Sequence, residues 1–99
     1  MAVTKEVFSA AEAIRELANG YAFQLPNQKG LLMTTAEFIQ NEKLCCPFFS
    51  FGVHVESGGG PIWLQMTGPD GVKPFIQAEI GGALPEAVAK AADFHAART

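Results

Sequence analysis

Charge is scarce in this 99-residue sequence: 17% of residues are charged, the net charge is −3, and the seven Lys and Arg are scattered. Without a cationic cluster there is no footprint for phosphate backbones or anionic lipid, so neither nucleic acid nor a membrane is an expected partner. No apolar run approaches the ~18 residues that a bilayer span needs, and the opening MAVTKEVFSA lacks the basic start and hydrophobic stretch of a secretion signal. The expected location is the cytoplasm. Cysteine is scarcer still. Cys45 and Cys46 are the only two and are adjacent, so they cannot make the spaced disulfide framework that staples small secreted domains. GxSxG, P-loop, GxGxxG and HExxH patterns are absent, which leaves no motif-based reason to expect an enzyme.

What is present is globular composition: 48% apolar residues, punctuated by ten glycines and six prolines. A chain this short buries only about two-thirds of its unfolded surface, so residues 1–99 form a single domain, with a core expected over 12–81 and a C-terminal helix over 84–98. Asn19-Gly20 between alternating stretches predicts a hairpin over Ala13 to Leu25, since a type I′ turn needs positive φ at both central positions. A helical stripe through Val7, Phe8, Ala11, Ile14, Leu17 and Ala18, with Ser9 and Glu12 as a capping box and Gly20 as its stop, is the competing reading for residues 9–18. Thr34 followed by Glu37 predicts a helix starting at Thr34 or Thr35, and Pro47 ends it with the cysteines in its last turn. Phe51 to Val55 and Ile62 to Thr67 alternate around Gly58-Gly59-Gly60-Pro61, a second hairpin. The triple glycine joins two strands and opens no helix, so it reads as a turn and not as a phosphate cradle. Val72, Phe75, Ile76 and Ile80 then form a helical stripe, with Pro74 arguing for a late start and Gly81-Gly82 for its end. The final alanine-rich segment opens with Pro85 and has a weak stripe that suits fraying or docking on another chain. The fold class is α+β: a two-layer arrangement in hairpin-helix-hairpin-helix order, with helices on one face of a four-stranded antiparallel sheet and an extra C-terminal helix.

Cys45-Cys46-Pro47-Phe48-Phe49, Gly58 to Leu64 and Thr67 to Lys73 resemble a family of short uncharacterised bacterial proteins with the patterns ECCPFF, GGGPLWL and TGPEGVK. Arg15 to Phe23 is similar to that family's RELPDGYAF, with Ala18-Asn19 where the pattern has Pro-Asp. The resemblance implies a bacterial source, covers roughly residues 12 to 81 and favours the first hairpin, because a proline at position 18 suits a turn. It implies no activity.

Glu42, Cys45 and Cys46 lie at i, i+3 and i+4 and share a helix face with Phe38 and Ile39. A two-residue turn at Asn19-Gly20 pairs 18 with 21, 16 with 23 and 14 with 25, which puts Glu16 on the apolar sheet face with Ile14, Tyr21, Phe23 and Leu25. If the helix packs there, Glu16, Glu42, Cys45 and Cys46 converge, an arrangement that is costly without a cation or a shared proton. A catalytic thiolate is disfavoured by the negative end of the helix dipole and the neighbouring carboxylate. A vicinal disulfide closes no loop worth constraining, although a transient oxidised form, and with it a thiol-dependent redox protein, stays open. Zn²⁺ or another thiophilic ion reverses the electrostatics, deprotonating thiols and welcoming a carboxylate, with Glu42, Cys45, Cys46 and Glu16 as its metal ligands. The plain alternative is a structural domain, with the cysteines as small buried hydrophobes and Glu42 reaching solvent past the helix edge.

The second hairpin's register, Val55 opposite Ile62 and Val53 opposite Leu64, turns Phe51, Val53, Val55, Ile62, Leu64 and Met66 toward the helices. His54 and Trp63 then share the outer face with Leu17 and Arg15. An open face bearing a tryptophan predicts a homo-oligomer, a dimer through Trp63, His54 and Leu17 or through a sheet edge; the alternatives are an exposed ring and one covered by the C-terminal helix. His54 reads as a solvated strand histidine and His95 lies in the poorly patterned tail, so neither is expected as a metal ligand or base, and Glu79 reads as part of a solvated helix face.

Overall fold

A computed structural model describes residues 2–94 and shows the α+β architecture. In chain order it contains α1 (Ala2–Phe8), β1 (Ala13–Leu17), β2 (Gly20–Leu25), α2 (Leu31–Cys45), β3 (Ser50–Val55), β4 (Ile62–Thr67), α3 (Val72–Ile80), a 3₁₀ turn (Gly81–Ala83) and α4 (Glu86–Ala91). The strands form one antiparallel sheet in the order β1-β2-β4-β3. Its two central strands are the most apolar: Tyr21, Phe23 and Leu25 on β2 and Ile62, Leu64 and Met66 on β4 are buried. Aromatic contacts from α1, α2 and the chain after α4 reach the side that bears Phe23: Phe8 meets Phe23 and Phe38, and Phe94 meets Tyr21 and Phe23.

The first hairpin prevails over the helical reading of residues 9–18, but its turn is centred one residue earlier than expected. Leu17 pairs with Gly20, Glu16 with Tyr21 and Ile14 with Phe23, so Ala18-Asn19 form the turn. Neither has positive φ, which excludes type I′. Gly20 is needed for another reason: a Cβ there would overlap the Met66 carbonyl oxygen and lie 2.8 Å from Thr67 Cα. The glycine lets β2 and β4 approach. Ala18 donates no main-chain hydrogen bond and occupies the turn position that proline's fixed φ favours. Ala18→Pro is therefore expected to stabilise the fold by about 0.4–1 kcal/mol through the unfolded state, read as a higher denaturant midpoint at unchanged slope.

Helix α2 begins at Leu31, one turn before the predicted start, behind Gly30 at φ 86°. The Thr34-Glu37 capping box is not formed. Both threonine hydroxyls instead donate to carbonyls one turn back, Thr34 to Gly30 and Thr35 to Leu31, as hydroxyls inside a helix do. Cys46 leaves helical geometry ahead of Pro47, as expected. Helix α3 starts at Val72 with Pro74 in its first turn, where a missing N–H costs nothing. Its start is not delayed.

The core reaches beyond residues 12–81. Val7 and Phe8 are fully buried, although α1 has only seven residues and a helix that short depends on tertiary packing. Helix α4 is shorter than the predicted 84–98, and the chain after it turns inward at Asp93 (φ 56°) to bury Phe94 against Tyr21 at 4.8 Å. This segment docks on its own chain. His95 and the remainder of the predicted helix lie outside the described residues. Among the described residues no helix is long and apolar enough to cross a membrane.

Candidate functional site

Helix α2 buries Leu31, Thr35, Phe38 and Glu42, spacings of four, three and four residues that form one stripe. Three of these suit a core, and the fourth is a carboxylate only 7% exposed. One turn further on, the Cys46 amide donates to the Glu42 carbonyl at 2.6 Å, which holds the Cys46 side chain, 6% exposed, beside Glu42. The third member comes from α3. Its apolar stripe of Val72, Ile76 and Ile80 packs inward and carries Glu79 to the C-terminal end of α2. One carboxylate oxygen each of Glu42 and Glu79 and the Cys46 sulfur all lie within 4.8 Å of one another.

The electrostatics of this group are unfavourable to anions. The C-terminal ends of α2 and α3, the negative ends of their dipoles, both supply its members. The ion pairs among the described residues join His54 to Glu56 and Lys73 to Glu16, and neither reaches Glu42 or Glu79. The Oε1 atoms of both glutamates are buried, and no backbone or other side-chain group among the described residues donates to them; the hydrogen bond within the pair needs a proton on Glu79. Burial first, then hydrogen bonding to Glu42, then Glu42's charge raise the Glu79 carboxyl from 4.5 to about 7. The Cys46 thiol is pushed up from 9.0 to about 12, chiefly by burial, with the Cys45 hydrogen bond and the glutamates adding to it.

Of the four residues read from the sequence as one cluster, Glu42 and Cys46 meet inside. Cys45 sits at the rim, exposed, with its sulfur accepting a hydrogen bond from the Cys46 thiol at 3.5 Å. Glu16 is not part of the group. It lies on the helix side of the sheet, but at the edge strand, where it accepts a 2.6 Å hydrogen bond from Lys73 and keeps 69% of its side chain exposed. Lys73 is in the first turn of α3 and Glu79 in the last, about 9 Å apart along the axis. Glu79, read as solvated, takes the place expected of Glu16. The usable signal was its position three residues after Ile76 and directly before Ile80, the same border of an apolar stripe that made Glu42 conspicuous.

An aromatic cluster adjoins the group. Phe48 and Phe75, both partly exposed, stack on Phe49 at 4.8 and 5.9 Å and meet each other at 5.4 Å. On the outer sheet face Trp63 is half-buried, with the Arg15 guanidinium 4.5 Å above its ring and His54 paired beside it. Leu17 lies on the same face at the end of β1. Comparison with known proteins found no matching family model, and no curated protein or solved structure matched the chain.

Proposed function

We propose that this chain is a small binding module for a thiophilic divalent cation such as Zn²⁺, held by Glu42, Cys46 and Glu79, with Cys45 as the ligand nearest solvent. The observation that carries this reading is the pair of buried carboxylate oxygens, given no donor by the rest of the described fold, beside a thiol. A cation placed among these atoms satisfies both oxygens and offsets the two helix dipoles. It also displaces the thiol proton, since thiolate and carboxylate are what such an ion binds. Tetrahedral coordination needs ligand atoms about 3.3–3.8 Å apart, so the three atoms need only a modest contraction from their present spacing. The same surroundings that hold Cys46 as a thiol weigh against a nucleophile in the metal-free chain. We further assign the working unit as a cytoplasmic homodimer that takes neither nucleic acid nor membrane as a partner, on the charge pattern and on the exposed apolar side chains of Val53 and Val55 at the sheet edge.

Titration of the reduced protein with Zn²⁺ or Cd²⁺, followed by thiolate–metal absorbance and by competition with a chelating dye, is expected to show one saturable site. Glu42→Gln and Glu79→Gln are each expected to weaken it about 100-fold or more, beyond the 10–100-fold typical of residues that only orient ligands. A colorimetric thiol reagent is expected to modify Cys45 readily and Cys46 slowly, with the ion protecting both. The competing reading, supported by the burial of Cys46, is inert packing. It predicts no saturable binding and no protection, and that result overturns the proposal.

A further inference from the structure

The two edges of the sheet are protected very differently. β1 carries Arg15 and Glu16, and the residues around α4 pack beside it, devices that discourage strand addition. β3 runs Ser-Phe-Gly-Val-His-Val with no proline, lysine or carboxylate. Val53 and Val55 lie on the helix side of the sheet yet are 43% and 46% exposed, so the helix layer stops short of this edge.

The hydrogen-bond pattern shows which main-chain groups are open there. The Glu56 amide donates to the Pro61 carbonyl at 3.0 Å, so the alternation of an antiparallel ladder directs His54, Gly52 and Ser50 toward β4 and leaves the N–H and C=O of Phe51, Val53 and Val55 pointing outward. The Phe49 amide is already bonded to the Cys46 carbonyl and closes the series at that end. A twofold axis beside Val53 matches this set to itself, pairing Phe51 with Val55, Val53 with Val53 and Val55 with Phe51 of a second copy. Each such pair can exchange two main-chain hydrogen bonds. The same register brings the Phe51, Val53 and Val55 side chains of both copies into one apolar row on the helix side. On the outer face it sets Gly52 opposite His54, where the missing side chain leaves room for the ring. Shifting the axis by one residue in one direction recruits the occupied Phe49 amide, and in the other direction sets His54 against His54.

We propose that β3 is the homodimer interface, pairing antiparallel with β3 of a second copy about Val53 to give one continuous eight-stranded sheet. This rests on the dimeric reading given above and is independent of the cation site. The outer face is the weaker choice, because Arg15 already covers the Trp63 ring.

Sedimentation equilibrium of the metal-free chain tests it. The wild type is expected to double its mass in the micromolar range. Val53→Lys is expected to weaken the dimer at least tenfold while keeping the wild-type circular dichroism and Zn²⁺ affinity. Val53→Pro removes only an outward N–H and is expected to do the same, whereas His54→Pro removes a bond to β4 and is expected to unfold the chain. Val53→Cys, opposite its own copy, is expected to oxidise to a covalent dimer bridged at position 53, within disulfide reach across such a pair. A wild type that stays monomeric to high micromolar concentration overturns the dimer and this interface together. A dimer indifferent to Val53→Lys but lost on Trp63→Ala leaves the dimer standing and overturns the edge.

Discussion

Glu42→Met is expected to make the metal-free protein more stable at about pH 8, by on the order of 1 kcal/mol, because methionine fills a similar volume and takes a buried carboxylate away from the ionised Glu79; below about pH 7 the gain shrinks, since protonated Glu79 loses its hydrogen bond to Glu42. In saturating Zn²⁺ the order reverses. The wild type gains the binding free energy, and the variant, having lost a ligand, does not. A pH series separates the causes. Glu79 titrates at about 7 in the fold against 4.5 ordinarily, so between these values the folded chain keeps a proton that the unfolded chain has released. Its contribution to stability is complete below about pH 4.5, declines as pH rises to about 7 by on the order of 2 kcal/mol, and is constant above. In Glu42→Met the hydrogen bond and charge of Glu42 no longer raise Glu79 and only burial remains, so the decline should be shallower. Urea midpoints at about pH 5 and about pH 8, with and without Zn²⁺, read all of this. A variant less stable than wild type in the metal-free state at about pH 8 would show that Glu42 is a satisfied structural residue, and the cation site would lose its basis.

Among substitutions in the core, Phe8→Ala is expected to cost a large share of the stability. Phe8 is fully buried and stands edge-on to Phe23 and Phe38, 5.0 Å from each ring. Truncation of such a ring costs about 3–5 kcal/mol, a third or more of what a domain of this size commonly has. The expected result is a denaturant midpoint lowered by that amount with the slope retained. A loss below about 1 kcal/mol would mean that α1 is an accessory to the core and not part of it.

The sheet was the most legible part of the sequence, for a reason the first hairpin makes plain. Its turn was centred on Asn19-Gly20 when Ala18-Asn19 form it, which slips the pairing by two residues. The side-chain period of a strand is also two, so every residue kept its face. Ile14, Glu16, Tyr21, Phe23 and Leu25 were assigned together correctly through an incorrect turn. In the second hairpin the register itself was correct, because Pro61 and the glycines before it left little freedom of alignment. The site was only half legible. Glu42 and Cys46 are local to one helix, four residues apart, and spacing is enough to join them. Glu79 arrives because the last turn of α3 meets the end of α2, and no periodicity within either helix encodes that meeting. Glu16 failed for the same reason: the correct face of the correct strand still lies a strand's width and most of a helix away from the group. Helix α1, short and without a capping signal, is specified by what Val7 and Phe8 touch, which only the assembled sheet provides.

The Phe23 ring is touched by Phe8 on one side and by Phe94, 6.0 Å away, on another. The earliest and latest parts of the described chain thus meet on the same strand. During synthesis the sheet is complete once Thr67 has emerged and the α2–α3 contact once Ile80 has, yet Tyr21 and Phe23 keep an open flank until Phe94 follows. A ribosome paused in that interval holds a chain with its strands paired and an aromatic face uncovered, the kind of species that aggregates or recruits chaperones. Completion of the core waits for Phe94.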